Sequence, residues 1–324
     1  MSDWKHFKFI DLFAGMGGIR IPFDELGGEC VFTSEWDKAA QKTYFANFGE
    51  MPHGDITQIE PSSIPDHDIL LAGFPCQSFS IGGKRLGFQD TRGTLFFNIA
   101  QILDEKKPYA FLLENVKHLK THDGGQTFQV IENTLKDLGY HVHTKVLNAL
   151  DFGLPQKRER TIIVGFRDDL PFEFPSPVGP PPPLSSILEA SADSDPSLKA
   201  SDYIIQKRLA RLSADGKTIP PGDTMWHENK AGNISMLPYS VALRTSASHN
   251  YILVNGKRLP SNRELHRLQG FPETYKIVVS RTEVKRQTGN SVPVNMIRAV
   301  AENMISALRG EYEGDPSKTY IKFD

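Results

Sequence analysis

The chain has 324 residues, 39% of them hydrophobic and 23% charged, with a formal net charge of -2 at pH 7. This is ordinary globular composition, long enough for about two domains, and it excludes a wholly disordered chain, a collagen and a coiled coil. No run approaches the ~20 apolar residues of a membrane span. No signal-peptide core precedes the first strand pattern, and two cysteines allow neither a disulfide framework nor a CxxC zinc site, so the expectation is a soluble, intracellular protein without metal.

Residues 8–13 read as a strand running into a glycine-rich turn, and 29–34 as a second strand closing on Glu35. Apolar runs at 68–73 and 109–114 have the continuous character of strands buried on both faces. Helical spacing covers 94–105 and 126–138, where Phe128, Ile131, Leu135 and Leu138 step by three and four until Gly139 stops the helix. Alternation at Tyr140, Val142, Thr144 and Val146 predicts a strand, and 161–166 another. Strands alternating with helices imply a doubly wound, mostly parallel α/β sheet. In 171–183 seven of thirteen residues are proline, which marks a linker. Beyond it, 184–233 is polar and weakly patterned, with one helix near 203–212. Residues 254–290 hold eight Lys/Arg against three acids, a local +5 (8 − 3) that reads as a grip for a polyanion or as a solvated charged face. Val294, Ile297, Val300, Met304 and Leu308 share one face of a closing helix.

Four blocks carry chemistry. Asp11-Leu12-Phe13-Ala14-Gly15-Met16-Gly17-Gly18 is a strand, a glycine turn and a helix start, where the backbone lets a ligand come close. Glu35 stands twenty residues past Gly15, where an acid hydrogen-bonds ribose hydroxyls. Together they read as a nucleoside-cofactor site or as a structural turn, without the GxGxxG order of dinucleotide binders. Asp55 is a candidate for an adenine amino group, or an ordinary turn acid. Gly73-Phe74-Pro75-Cys76-Gln77-Ser78 follows an apolar strand at its carboxyl end, so Cys76 is a candidate nucleophile or an inert exposed thiol, whereas Cys30 inside a strand reads as core. Glu114-Asn115-Val116 puts an acid after a buried strand, where desolvation raises a carboxyl and readies it to hand over a proton. Gln156-Lys157-Arg158-Glu159-Arg160 supplies arginines that fix a carbonyl or carboxylate, or a solvated charge run.

Taken in order, these blocks closely resemble the DNA cytosine-5 methyltransferases, in the compact form of bacterial restriction-modification systems. The later blocks are Arg263-Glu264-Leu265-His266-Arg267-Leu268-Gln269-Gly270-Phe271-Pro272 and Gln287-Thr288-Gly289-Asn290-Ser291-Val292-Pro293. The resemblance spans nearly the whole chain. It implies the S-adenosylmethionine-dependent methyltransferase fold, a mixed sheet with one antiparallel strand, plus a smaller DNA-recognition domain. Residues 1–180, completed by 286–324, would form the catalytic and cofactor domain and 181–285 the recognition domain. The implied reaction is methyl transfer to C5 of a cytosine flipped out of a short duplex sequence, through a covalent Cys76–C6 bond. Glu114 would hold N3 and the exocyclic amine, Arg160 the cytosine O2, with Arg158 in support. S-adenosylmethionine, leaving as S-adenosylhomocysteine, would be held by Phe13, Gly15, Gly17, Gly18, Glu35, Trp36, Asp55 and Ile56, completed by Pro75, Leu95, Asn290 and Ser291, with no metal. Residues 81–93 would close over the base. Double-stranded DNA is the implied partner, a restriction endonuclease the functional one, and the chain a cytoplasmic monomer. The rival within the same chemistry is a transfer-RNA cytosine-5 methyltransferase. Residues 172–251 match no family block, and there the members differ in target.

Overall fold

The computed structural model describes residues 4–75, 95–245, 248 and 250–311. The chain divides into two compact units. The first comprises Met1–Leu147, Glu159–Ser176 and Ile297–Asp324, the second Asn148–Arg158 and Pro177–Met296.

In the first unit strands and helices alternate: β1 (Phe7–Leu12), α1 (Arg20–Glu25), β2 (Gly28–Ser34), α2 (Lys38–Phe48), β3 (Ile69–Gly73), α3 (Leu95–Lys106), β4 (Ala110–Val116), α4 (Gln126–Asp137) and β5 (His141–Asn148). After β6 (Gln156–Lys157), which belongs to the second unit, comes β7 (Glu159–Phe166). The sheet has six strands in the order β2-β1-β3-β4-β7-β5. It is parallel from β2 through β4 and antiparallel between β4 and β7. Ile69, Leu70, Leu71 and Ala72 are all 0% exposed, which is why β3 reads as an unbroken apolar run rather than an alternating one. α3 turns Phe96, Ile99, Ala100 and Leu103 into the same core as Leu70, Phe111 and Ile163. β1 has β2 on one side and β3 on the other, so the strand order reverses there. In open α/β sheets such a switch point opens a crevice at the carboxyl ends of the strands.

The second unit is built from short pieces: α5 (Asp202–Ala214), β8 (Met225–Glu228), β9 (Ile234–Leu237), β10 (Ser240–Val241), β11 (Ile252–Val254), α6 (Asn262–Leu268) and α7 (Arg281–Asn290). β11, β8 and β9 form an antiparallel sheet, and β10 pairs with β6 in parallel. Strands this short satisfy few carbonyls by ladder pairing, and buried arginines supply donors instead. Arg208 donates to Glu228 at 3.0 and 3.1 Å. Arg258 forks onto Glu264 at 2.7 and 2.8 Å and reaches Asp193. Glu264 in turn completes a capping box with Ser261 at the start of α6. The closing helix α8 (Val294–Arg309) passes into the first unit, where Arg298 pairs with Glu25 and Asn303 donates to the Glu173 carbonyl.

Three expectations change. The division differs from 1–180 with 286–324 against 181–285, because 148–158, 177–180 and 286–296 group with the second unit. The cause is Arg158, whose guanidinium donates to the carbonyls of Leu243, Gly289 and Ser291, together with the β6–β10 pairing. The basic stretch 254–290 is not an open cationic stripe. Beside Arg258, Arg263 donates to the carbonyls of Pro272 and Tyr275, Arg267 binds Glu273 and the Ile187 carbonyl, Arg281 binds Asn262 and the Pro260 carbonyl, and Arg286 binds Glu283. Cys30 is half-buried, not core, since β2 is an edge strand. Burial nevertheless pushes its thiol up to about 12, which keeps it inert.

Candidate active site

At the carboxyl end of β1 the chain makes the predicted turn. Phe13 adopts φ +54°, a left-handed conformation that costs an L residue roughly 1–2 kcal/mol. Such strain in a native turn marks a backbone held for a purpose. Gly15 and Gly17 also have positive φ, and a Cβ on Gly17 would sit 2.3 Å from the Phe48 ring. Only glycine satisfies both demands at 17, and Gly17 and Gly18 then lead into α1. Both Glu35 oxygens meet backbone N–H groups, Oε1 from Asp37 at 2.7 Å and Oε2 from Gly15 at 2.8 Å. Burial raises the Glu35 carboxyl, and the bonds from Asp37 and Gly15 pull it back. A third backbone bond, from Trp36, also reaches the carboxylate, and the lone pair that remains suits a ribose hydroxyl. The next residue, Trp36, leaves its indole 76% exposed, a large aromatic face open to a flat ring. Asp55 caps a short turn through Thr57 N–H at 3.0 Å, and Ile56 packs its side chain into the core. Carboxylate, indole and open glycine backbone together make a donor set that fits a nucleoside.

Two residues that lie in the sequence blocks without an assigned role brace this edge. Asp11, 1% exposed, accepts from the Tyr44 hydroxyl at 3.3 Å, and Arg20 donates to that hydroxyl at 3.0 Å. Arg20 also pairs with Asp24 and Glu50 and lies 4.4 Å from the Phe48 ring centroid. Burial pushes Asp11 up to about 7, against the pull of Arg20 and the Tyr44 bond. The available signal was one acid inside an otherwise apolar strand. Asn115 is the other. Its Nδ2 donates to the Phe74 carbonyl at 2.9 Å and its Oδ1 accepts from Val116 N–H at 2.8 Å. It thereby ties β4 to the segment leading to Pro75, which is exposed.

The antiparallel strand explains how the acid and the arginine meet. β7 starts where the parallel strands end, with Val116 opposite Arg160 and Glu114 opposite Ile162. Arg160 Nε lies 2.7 Å from Glu114 Oε1, the two side chains 12% and 9% exposed, and Arg160 Nη1 donates to the Glu159 carbonyl. Gly73 lies in register with Glu114, and a Cβ there would stand 3.5 Å from Glu114 Oε2. Glu114, Arg160 and Asn115 thus gather at the sheet edge beside the β3 exit.

Arg158 does something else. It is 1% exposed and its guanidinium is engaged by main-chain carbonyls of the second unit, so it is a strut and not the supporting substrate contact expected of it. Asn290, exposed, ends α7, and Ser291 follows it with its carbonyl held by Arg158. Leu95, half-buried, opens α3. Cys76 and residues 81–93, with Lys84 and Arg85, lie outside the described residues. A cavity of about 200 Å3 lies within the second unit, lined among others by Leu243, Tyr251, Leu265, Arg281 and Lys285. No acid, thiol or imidazole among the described residues lines it. Among the described residues no helix is long and apolar enough to cross a membrane.

Comparison with known proteins gives the family. The family model described as C-5 cytosine-specific DNA methylase matches residues 7–306. The chain is 59% identical over 293 residues to Type II methyltransferase M.NgoBI of Neisseria gonorrhoeae, covering 90% of this chain and 91% of that one. To Type II methyltransferase M.HaeII of Haemophilus aegyptius it is 58% identical over 304 residues, 94% of each chain. The fold matches the crystal structure of a Spodoptera frugiperda DNMT2 mutant at TM-score 0.70 and 22% identity, covering 92% of this chain and 99% of that one. With a family model over most of its length and relatives near 60% identity, the chain belongs to the C-5 cytosine-specific DNA methylases and is a DNA cytosine-5 methyltransferase.

Proposed function

We propose that Cys76, Glu114 and Arg160 carry the reaction on a cytosine extruded from a short duplex sequence, as the modification half of a type II restriction-modification system in the bacterial cytoplasm. The observation that supports it most is the Glu114–Arg160 pair at 2.7 Å on the carboxyl edge of the sheet. Cytosine C5 is a feeble carbon nucleophile. Addition of a thiolate to C6 makes C5 enamine-like, and after methylation loss of the C5 proton and expulsion of the thiolate restore the ring, so one hard step is divided into easier ones. A carboxyl at N3 stabilises the electron density that this addition pushes into the ring. The other oxygen of that carboxyl, which carries no proton, accepts from the exocyclic amine of cytosine, whereas the oxygen of thymine would meet it lone pair to lone pair. Arg160 fixes the carboxylate's orientation through Nε and has a planar fork suited to the cytosine O2. The base must leave the stack first, at a cost of a few kcal/mol.

S-adenosylmethionine supplies an electrophilic methyl group on a sulfonium centre. Glu35, Trp36, Asp55 and the backbone at Phe13, Gly15, Gly17 and Gly18 would hold its nucleoside, since carboxylate, exposed indole and glycine turn suit a ribose and a purine. The parts assigned to Ile56, Pro75, Leu95, Asn290 and Ser291 rest on the resemblance. The names of the relatives, both Type II methyltransferases, support the restriction-modification role. The test is methyl transfer from labelled S-adenosylmethionine to unmethylated plasmid, with modified positions mapped. Label is expected at C5 within one recurring sequence, absent in Cys76→Ser and reduced roughly 10²–10⁴-fold in Glu114→Gln. Label in transfer RNA and none in DNA would overturn the substrate, and full activity in Cys76→Ser would overturn the mechanism.

A further inference from the structure

Most arginines of the second unit are consumed by its interior, which makes the exception informative. Arg244 is exposed, and no carboxylate among the described residues pairs with it, yet it is held from every side that the structure describes. Its backbone path is fixed on both flanks. The Leu243 carbonyl accepts from Arg158 at 3.0 Å, and the Leu243 N–H donates to Gln156 at 3.2 Å. Arg244 N–H donates to the Tyr251 hydroxyl at 3.2 Å. The main chain at 244–245 lies flat against Gly289, where a Cβ would come within 2.8 Å of Thr245 N and 2.9 Å of the Arg244 carbonyl carbon.

The side chain is aimed as well. Its guanidinium carbon lies 5.7 Å from the Tyr251 ring centroid, and Nη2 is 2.8 Å from His227 Nε2. A guanidinium cannot accept, so Nη2 donates and His227 takes the neutral tautomer with its proton on Nδ1. Burial and the charges of Arg244 and Arg208 lower the His227 pKa and preserve that acceptor at neutral pH. Tyr251 covers one face of the fork and His227 takes one of the two Nη2 protons, so one two-pronged edge, shared by the other Nη2 proton and a neighbouring nitrogen, is left open on an exposed side chain whose orientation is set. An arginine on a phosphate fixes register and carries no sequence information, whereas one on a base edge reads sequence. A fork with a preset edge matches the paired O6 and N7 acceptors that guanine shows in the major groove.

We propose that Arg244 is a specificity-determining residue, reading one guanine of the target through the two-pronged edge of its guanidinium that Tyr251 and His227 leave open. This rests on the DNA-methylating function given above. The experiment uses the full-length enzyme and short duplexes in which each position of the mapped target is varied singly, with kcat/KM and its salt dependence measured for wild type, Arg244→Gln and Arg244→Lys. Arg244→Gln should lower kcat/KM on the true target about 10–100-fold, as removal of a bidentate bond to a base does, and lose discrimination at one G·C pair only. Arg244→Lys keeps the charge without the fork, so it should keep the salt slope while losing the same discrimination. Equal weakening on all duplexes, with the salt slope smaller by about 0.9, would make Arg244 a phosphate ligand and overturn the proposal. Wild-type selectivity in both variants would overturn it too. Wild-type enzyme that methylates no duplex sinks the underlying function instead, so the two failures are distinct.

Discussion

The two units use the same polar residue types for opposite ends. In the first, the central strands β3 and β4 are apolar until near their carboxyl ends, where the buried Glu114 and Asn115 appear, as Glu35 does just past β2. In the second, strands of two to four residues cannot close their own hydrogen bonding, and Arg158, Arg208 and Arg258 run through the interior as donors. The arginine at the sheet edge of the first unit, Arg160, pairs with an acid at the strand ends, and those inside the second unit hold its interior together. Position relative to a complete ladder, more than residue type, separates the two.

The largest test of that contrast is Arg258→Met. It leaves Glu264, 0% exposed, without its bidentate partner, and breaking a buried pair from one side costs about 3–5 kcal/mol. The variant should melt well below wild type, with early hydrogen exchange in α6. An unchanged melting temperature would mean that the second unit does not depend on its arginine struts.

Asp11→Asn probes the first unit. Burial holds the folded-state carboxyl near about 7 against an ordinary 3.8. Between these values the folded chain binds a proton that the unfolded chain has lost, so wild-type stability falls as pH rises from about 4 through 7. Asparagine carries no such proton. The urea midpoint of wild type should therefore drop more than that of the variant between pH 5 and pH 8, by on the order of 2–4 kcal/mol in stability. Parallel pH profiles for the two proteins would refute the assignment. Asn115→Ala comes next, because it strips the Phe74 carbonyl of its buried donor at about 1–3 kcal/mol. Its kcat should fall by more than its melting temperature accounts for, since Phe74 is two residues before Cys76; a loss confined to stability would reduce Asn115 to packing.

Much of the first unit was legible because its strands are continuous apolar runs and its acids sit where those runs end. Glu114 could be found by that rule alone. The Gln-x-Arg-x-Arg block could not be divided so easily. Residues two apart share a face in an extended strand, which predicts one role for Arg158 and Arg160. The chain changes ladder between them, β6 pairing with β10 and β7 with β4, so the alternation does not carry across and the arginines part company. β8 to β11 are too short to show a period. The partners of Arg158 lie 85 to 133 residues away, a separation no local pattern encodes. Cys30 was misplaced for a related reason: its strand composition is apolar, but only the strand order shows that β2 is an edge.

The smallest effect bears on how charge should be read. Local composition gives 254–290 a surplus of cations that invites assignment to the phosphate backbone. Arg267 is a fair sample, with Nε and Nη2 on Glu273 and Nη1 on the Ile187 carbonyl. The ion pair is largely solvated, its side chains 25% and 62% exposed, and such pairs contribute about 0–1 kcal/mol. Arg267→Gln should therefore shift the melting temperature only slightly. More tellingly, it should leave the salt dependence of DNA binding unchanged, because the slope falls by about 0.9 for every phosphate that the protein no longer neutralises. A reduced slope would return Arg267 to the DNA. An unchanged slope beside the altered selectivity of Arg244→Gln would separate the arginine that faces the duplex from those that hold the unit together.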